Sequence, residues 1–331
     1  MDLSTTYLGF NLPHPLMAAA GPMSDSLDAA RRLEDAGAAA IVLRSLFEEQ
    51  IASEGLATHR ALDSHTDTFA EALTYLPDPE DFVLGPQEYL EHLRMVKEVV
   101  GVPVIASLNG TSAGGWLDYG RQMAEAGADA LELNLYDVPM DAERSAAVIE
   151  DQAAAVVIGV KDLVALPVAV KLSPFYTSPA HFARRLVAAG ADGLVLFNRY
   201  FEPDIDVEAL EIMPCLHLSN PAELLLRLRW LAILSARVET SFAVTGGVHT
   251  GVDAVKAVMC GADAVQLLSL LLLRGPEALG HVRDEMARWL EEHEYDSLAQ
   301  ARGSMNLDHC PAPHRLGRAN YMYTLPTWEP A

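Results

Sequence analysis

Hydrophobic and polar positions along this chain follow two periods in turn. Segments with apolar residues every three or four positions give way to short, wholly apolar runs. One such junction recurs four times: Ala36-Gly37-Ala38-Ala39-Ala40-Ile41-Val42-Leu43, Ala126-Gly127-Ala128-Asp129-Ala130-Leu131-Glu132-Leu133, Ala189-Gly190-Ala191-Asp192-Gly193-Leu194-Val195-Leu196 and Cys260-Gly261-Ala262-Asp263-Ala264-Val265-Gln266-Leu267. Glycine ends a helix at such a point because it enters the left-handed region with no Cβ penalty. The aliphatic run behind it reads as a strand buried on both faces. The helix ahead of the third copy opens at Ser178-Pro179 and lines one face with Phe182, Ala183, Leu186 and Val187, a capped amphipathic pattern. Repetition of this kind constrains the architecture before any chemistry is considered.

Four more apolar runs lie between these copies, at residues 15–20, 102–108, 166–172 and 242–245. The second and third begin at Val102-Pro103 and Leu166-Pro167, where proline starts a strand without removing a central ladder bond. Helical patterns such as 87–100 and 221–237 separate the runs. Eight strands alternating with helices predict a parallel α/β protein, and eight in about 270 residues predict a closed (β/α)8 TIM barrel. The whole chain, 1–331, is read as one barrel domain. An open doubly wound sheet is the alternative, but its Gly-x-Gly-x-x-Gly turn is missing; Gly21-Pro22-Met23-Ser24 follows the first strand instead. Two segments break the short-loop rhythm, 47–86 after the second strand and 199–220 after the sixth. Both leave C-terminal strand ends, where barrel active sites are built, and both read as binding loops or lids. The tail, 303–331, is rich in Pro, Asn, His and Arg and is expected to wrap the surface.

Composition narrows the partners. The chain has 331 residues, half of them hydrophobic, enough for one large core. Acidic residues outnumber basic ones 46 to 23, a formal charge of −23. That charge favours solubility and repels nucleic-acid phosphates. Cys215, Cys260 and Cys310 form no Cys-x-x-Cys pair. No iron–sulfur cluster, zinc ribbon or other metal site is therefore expected, and a reducing compartment is. No N-terminal apolar segment resembles a signal peptide, and the longest apolar run, 267–273, is far short of the roughly 20 residues of a membrane span. A cytoplasmic protein is expected.

Candidate chemistry collects at the predicted C-terminal strand ends. Thr245-Gly246-Gly247-Val248 follows the seventh strand and leads into a helix, and Leu268-Ser269 follows the eighth. Adjacent glycines ahead of a helix N-terminus offer backbone N–H groups to an anion, at the usual phosphate address of a barrel. A phosphate-bearing ligand is expected, although a tight turn needing positive φ would use the same two residues. Lys171 ends the fifth strand in Val170-Lys171-Leu172-Ser173-Pro174 and is one of only four lysines against nineteen arginines. An ammonium in an apolar strand needs a partner or a task. It either stabilises negative charge on a cofactor or substrate or, desolvated, forms a Schiff base. Arg44-Ser45 ends the second strand, Asn109 follows the third, Asn134 ends the fourth ahead of Asp137, and Asn198 ends the sixth ahead of Arg199. Amides carry both donor and acceptor, which suits a planar heterocycle.

With these residues in place the chain resembles the class 1 dihydroorotate dehydrogenase family, flavin mononucleotide (FMN) enzymes on a (β/α)8 barrel. The resemblance runs from about residue 8 to residue 273. It rests on Leu8-Gly9-Phe10 with Pro15, Ala19-Ala20-Gly21, Arg44-Ser45, Glu132-Leu133-Asn134-Leu135, Val170-Lys171-Leu172-Ser173-Pro174, and Thr245-Gly246-Gly247-Val248 with Cys260-Gly261-Ala262. It implies that Ala19, Ala20, Gly21, Ser45, Asn134, Lys171, Gly246, Gly247, Leu268 and Ser269 hold FMN, with Arg44, Asn109 and Asn198 beside them. Lys171 would lie near the flavin N1–C2 carbonyl edge. The resemblance also implies a homodimer, a small-molecule substrate and, with no cluster motif, a soluble electron acceptor.

The chain departs from the family where substrate would sit. The family's flavin-side lysine after strand two is Arg44 here, which keeps the charge and changes the geometry. The position of the catalytic base, cysteine or serine in the family, is Asp137. The Asn-rich substrate loop becomes Glu71-Ala72-Leu73-Thr74-Tyr75-Leu76-Pro77, and the Asn-Ser pair after strand six becomes Asn198-Arg199. The expected substrate contacts are Asn134, Asn198, Arg199 and Tyr75, and the expected catalytic set is Asp137, Lys171 and Arg44. Dihydroorotate is an anion, and a second carboxylate within about 4 Å repels it by several kcal/mol at an effective dielectric of about 20. Asp137 would act as a base only with a pKa raised by burial. The leading expectation is an FMN-dependent oxidoreductase that moves a hydride from the CH–CH unit of a small planar substrate to flavin N5. The alternatives are a Schiff-base lyase or aldolase built on Lys171 and a non-catalytic flavin-binding relative.

Overall fold

The computed structural model of the protein describes residues 1–51, 85–111, 114 and 117–327. A short antiparallel hairpin, β1 (Thr5–Tyr7) and β2 (Phe10–Leu12), precedes the first barrel strand. The barrel strands are β3 (Leu16–Ala18), β4 (Ile41–Phe47), β5 (Val104–Asn109), β6 (Ala130–Asn134), β7 (Val168–Leu172) and β8 (Gly193–Leu196). A second hairpin, β9 (Asp204–Asp206) with β10 (Glu211–Met213), interrupts the series before β11 (Ser241–Thr245) and β12 (Ala264–Leu267) complete it. The eight parallel strands close in the order β11-β12-β3-β4-β5-β6-β7-β8, and β8 pairs back onto β11. Helices α1 (Leu27–Asp35), α2 (Pro86–Val99), α3 (Asp118–Glu125), α4 (Ala146–Leu163), α5 (Pro179–Ala188), α6 (Pro221–Leu234) and α7 (Gly251–Met259) link the strands. After β12 come α8 (Ser269–Arg274) and α9 (Ala278–Glu292). The predicted (β/α)8 barrel is the observed fold. The two hairpins are additions that the apolar runs did not announce, because three-residue strands carry too little pattern to be seen.

The repeated junction has a physical purpose. Gly37, Gly127, Gly190 and Gly261 all sit at positive φ, between 92° and 114°, so each helix reverses into its strand at a residue without a Cβ. In three copies an aspartate follows, and its carboxylate accepts from an N–H in the first two residues of the neighbouring strand. Asp129 takes Val104 N–H at 2.7 Å, Asp192 takes Val168 N–H at 2.8 Å, and Asp263 takes Phe242 N–H at 2.8 Å. A cation completes each site: Lys97 on Asp129, Lys161 on Asp192 and Arg302 on Asp263. Three strand starts that would otherwise expose a donor are thereby closed at the bottom of the barrel.

Alternation along the strands sorts the core into two clusters. Leu131, Leu133, Val168, Val170, Leu194, Leu196, Phe242, Val244 and Val265 point outward and pack under the helices. Ala130, Ala169, Val195, Ala243 and Ala264 point inward and meet Tyr7, Leu8 and Leu12 of the first hairpin. Four small alanines leave room in the barrel for that hairpin, which plugs the end where the strands begin. Two positions further along the same inward faces stand Glu132, Lys171 and Gln266, all buried. A run that reads as uniformly apolar thus hides a polar layer inside. After α9, the N–H groups of Gly303, Met305 and Leu307 donate to the carbonyls of Val258, Met259 and Ala232. Among the described residues no helix is long and apolar enough to cross a membrane.

Candidate active site

A cavity of ≈ 450 Å³ opens at the C-terminal mouth of the barrel. Ala19, Ala20 and Gly21 enter it after β3, Arg44 and Ser45 from β4, Asn109 and Asn134 from the ends of β5 and β6, and Lys171 from β7. Asn198 and Arg199 follow β8, Gly246 follows β11, and Leu268 and Ser269 follow β12. Residues spread over 250 positions of sequence converge because every strand ends on this side.

Lys171 is the centre of the buried polar layer. Its Nζ lies 3.1 Å from Glu132 Oε1, and Gln266 Nε2 donates to Glu132 Oε2 at 2.6 Å. Glu132 is fully buried and Lys171 nearly so, so each charge depends on the other. Removing one partner of such a pair costs about 3–5 kcal/mol. An ammonium clamped to a buried carboxylate is poorly placed to act as a free amine nucleophile, which counts against the Schiff-base alternative. Neither Glu132 nor Gln266 was assigned a task from the sequence. The signal was there, since a carboxylate and an amide two residues into doubly buried strands must have partners.

Next to this layer Asn134 donates through Nδ2 to Ser45 Oγ at 3.0 Å and to Ser107 Oγ at 2.8 Å. The two serine hydroxyls are 2.8 Å apart, and Ser107 N–H donates to Tyr89 Oη at 3.0 Å. Burial pushes the Tyr89 phenol above its ordinary range, so it stays neutral. With both amide hydrogens committed, Asn134 presents its acceptor oxygen to a ligand. Ser107 and Tyr89 were not foreseen, because their role depends on side chains from three separate strands and helices.

The opposite wall is built around Gly246 and Gly247, at φ 84° and 81°. A Cβ on Gly246 would lie 2.9 Å from Arg227 Nη2, and one on Gly247 would lie 2.6 Å from the backbone nitrogen of Leu224. The two glycines therefore differ in purpose. Gly246 lines the cavity; Gly247 is pressed onto the start of α6 and donates its N–H to Ser219 Oγ at 3.0 Å. Ser219 also donates from Oγ to Ser269 Oγ at 2.8 Å, tying the two turns together. Arg227, buried at 4 % exposure, donates to the carbonyls of Thr245 and Glu223 and brings a cation to Gly246. Burial lowers its pKa from the ordinary value, yet a guanidinium stays charged. Arg227 sits mid-helix in the α6 pattern, where an arginine ordinarily faces solvent.

The expected catalytic and substrate residues are placed less uniformly. Arg44 forms a two-point ion pair with Asp25 at the cavity edge. Arg199 is paired through Nε with Glu223 at 3.1 Å, so its charge is already met. Asp137 lines a neighbouring cavity instead; its Oδ2 accepts from Arg144 at 2.8 Å, and its carbonyl accepts from Tyr200 Oη at 2.8 Å. The two cavities share Tyr136 and Phe201. Tyr75 and the rest of 71–77 lie outside the described residues. Cys260 is half-buried in the packing between helices, and burial pushes its thiol up to about 11, as befits a packing residue.

The residues at the mouth fit FMN. Gly246, Arg227 and Ser269 at one wall match an anionic phosphate, and Lys171 with Asn109, Asn134 and Asn198 at the other match a hydrogen-bonding ring. The volume lies within the ordinary range of about 300–1,000 Å³ for such sites.

A parallel barrel whose mouth gathers cations and amides around one deep cavity defines a TIM-barrel enzyme. Comparison with known proteins narrows the class. The dihydroorotate dehydrogenase family model matches residues 2–290. The catalytic subunit of dihydroorotate dehydrogenase B (NAD(+)) from Thermoplasma acidophilum is 29% identical over 316 residues, covering 91% of this chain and 98% of that protein. Its counterpart from Methanocaldococcus jannaschii is 28% identical over 305 residues, 88% of this chain and 94% of that protein. A putative dihydroorotate dehydrogenase A (fumarate) from Aeropyrum pernix is 30% identical over 226 residues, 66% of this chain and 72% of that protein. The chain belongs to the dihydroorotate dehydrogenase family and is an oxidoreductase of that type.

Proposed function

We propose that this protein is an FMN-dependent oxidoreductase that dehydrogenates a CH–CH unit in a small planar molecule other than dihydroorotate. The observation that carries the reading is the pairing of Lys171 with a fully buried Glu132 at the wall of a cavity that also holds Gly246, Arg227 and Ser269. When bound, FMN would supply a hydride acceptor at N5. The chain's own residues do the rest. Gly246, Arg227 and Ser269 would hold its phosphate. Lys171, held by Glu132 at 3.1 Å, would present its ammonium to the ring without reorganisation. Asn134 offers its acceptor oxygen, and Asn109 and Asn198 offer amides, to the ring and to substrate.

Dihydroorotate is disfavoured because nothing described at the mouth greets its carboxylate. Arg199 and Arg44 are spent on Glu223 and Asp25, as Asp137 is on Arg144. Two relatives are named catalytic subunits of an NAD(+) enzyme, which supports electron delivery to a soluble acceptor. A cytoplasmic homodimer completes the proposal. The test is a visible spectrum of freshly purified protein, repeated after anaerobic addition of dihydroorotate. A yellow protein that dihydroorotate does not bleach is expected. A colourless protein that takes up no FMN overturns the cofactor reading, and bleaching overturns the substrate reading.

A further inference from the structure

The loops after β6, β7 and β8, with the start of α4, line the second cavity, of ≈ 430 Å³. Its walls are aromatic. The rings of Tyr136 and Tyr200 have centroids 4.4 Å apart, Phe175 lies 5.2 Å from Tyr200, and Tyr176 stands alongside. Its charged groups are all acidic: Asp137, Glu150 and Glu202 line it, with no lysine, arginine or histidine among the described residues. Arg144 and Arg185 stand behind the wall, bound to Asp137 and Glu150. Glu202 forms no ion pair with a described residue and leaves a free negative charge at the rim. Burial pushes the phenols of Tyr136, Tyr176 and Tyr200 upward, so these rings remain neutral, electron-rich faces.

Aromatic faces attract a cation within about 6 Å of their centre, the more strongly when water is excluded. Glu202, the lining carboxylate without an ion pair to a described residue, adds to that attraction and repels an anion by the same law. Phe175, 73% exposed, offers apolar surface to a flat ring entering from solvent, while Phe201 already has the Arg199 guanidinium 5.9 Å from its ring centre. Tyr136 and Phe201 belong to both cavities, so a molecule seated here borders the cofactor cavity.

We propose that this cavity is the substrate-side pocket of the enzyme, that it seats a flat apolar ring carrying a protonated nitrogen, and that it excludes anionic rings. The assignment rests on the oxidoreductase reading above for its place beside the cofactor, while the charge preference follows from the pocket alone.

The test uses one ring with two charges. The full-length, FMN-loaded protein is titrated at low salt with 2-(1-naphthyl)ethylammonium and with 1-naphthylacetate, by calorimetry and by visible difference spectrum. The ammonium is expected to bind at least tenfold more tightly and to shift the visible flavin band. Glu202→Gln, at an exposed position, is expected to weaken the ammonium three- to tenfold and not the acetate, whereas Phe175→Ala, which removes surface for the ring common to both, is expected to weaken both. Equal or tighter binding of the acetate overturns the proposal, as does binding of neither compound at millimolar concentration. Ammonium binding that leaves the flavin band unmoved overturns the substrate-side assignment. A protein that stays colourless yet still prefers the ammonium tenfold overturns the FMN reading and supports the pocket's charge preference.

Discussion

The two ends of this barrel are made from the same strands and do opposite work. At the end where the strands begin, inward alanines accept Tyr7, Leu8 and Leu12 of the first hairpin, and Asp129, Asp192 and Asp263 tie off the strand starts. At the end where they finish, the inward positions become Glu132, Lys171, Gln266 and Asn134, and the centre is left open. Four residues along a strand therefore carry the barrel from a sealed apolar layer, through a buried ion pair, to a polar mouth. The lesson is one of separation: stability is concentrated below the Glu132 layer and ligand chemistry above it.

That separation can be broken experimentally, and the largest expected effect is at the sealed end. Tyr7→Ala empties the plug and should cost about 3–5 kcal/mol, as large aromatic-to-alanine changes do. Denaturant unfolding would show the loss while the folded fraction keeps its full flavin content. Flavin lost without any loss of stability would contradict the division. At the open end, the double change Lys171→Ala with Glu132→Gln removes both charges together and spares the fold an unpaired one. The midpoint potential of bound flavin should fall by about 60–90 mV, equivalent to 10²–10³ in a two-electron couple. An unchanged potential would take Lys171 away from the flavin edge.

Next comes a pH effect at the sealed end. His14 is buried at the start of β3, where its Nδ1 accepts from Leu16 N–H at 3.3 Å, and burial lowers its pKa to about 4 from 6.5. The unfolded chain takes up the proton first, so this contribution to stability is complete above pH 6.5. It fades as pH falls toward 4. His14→Asn should flatten the urea midpoint over that interval, and a slope identical to the parent would exclude His14 as its source. Smaller still is Gly246→Ala, which places a Cβ at φ 84° and 2.9 Å from Arg227 Nη2. Left-handed strain of about 1–2 kcal/mol should weaken FMN about tenfold, as read by fluorescence recovery on dilution. The smallest effect is expected for Tyr7→Phe. The Tyr7 hydroxyl is buried with no hydrogen-bond partner among the described residues, so its removal should be neutral or stabilising by up to about 1 kcal/mol. Clear destabilisation would reveal a partner.

Much of the mouth was legible because a parallel barrel gives strand ends a fixed meaning. Once the runs at 166–172 and 242–245 are strands, Lys171 and Gly246 must face one opening, and the structure brings them to one cavity wall. Gly247 shows where that logic thins. Adjacent glycines at positive φ looked like one anion site, but packing against Leu224 claims one of them. Asp137 shows it thinning further, since a residue three places beyond a strand end is aimed by its loop, here toward Arg144 and Tyr200.

Local pattern by itself determined the barrel, its repeated glycine–aspartate junctions and the set of strand ends that meet, because helix and strand periods and φ preferences are properties of neighbouring residues. Only the closed structure decided that Glu132 clamps Lys171, that Arg227 leaves the expected solvent face for Gly246, that Arg199 is already neutralised, and that an aromatic, acidic pocket stands beside the mouth cavity. Those are pairings between residues remote in sequence. Burial leaves a charge no stable choice but to find a partner, and which partner it finds is fixed by how the strands close.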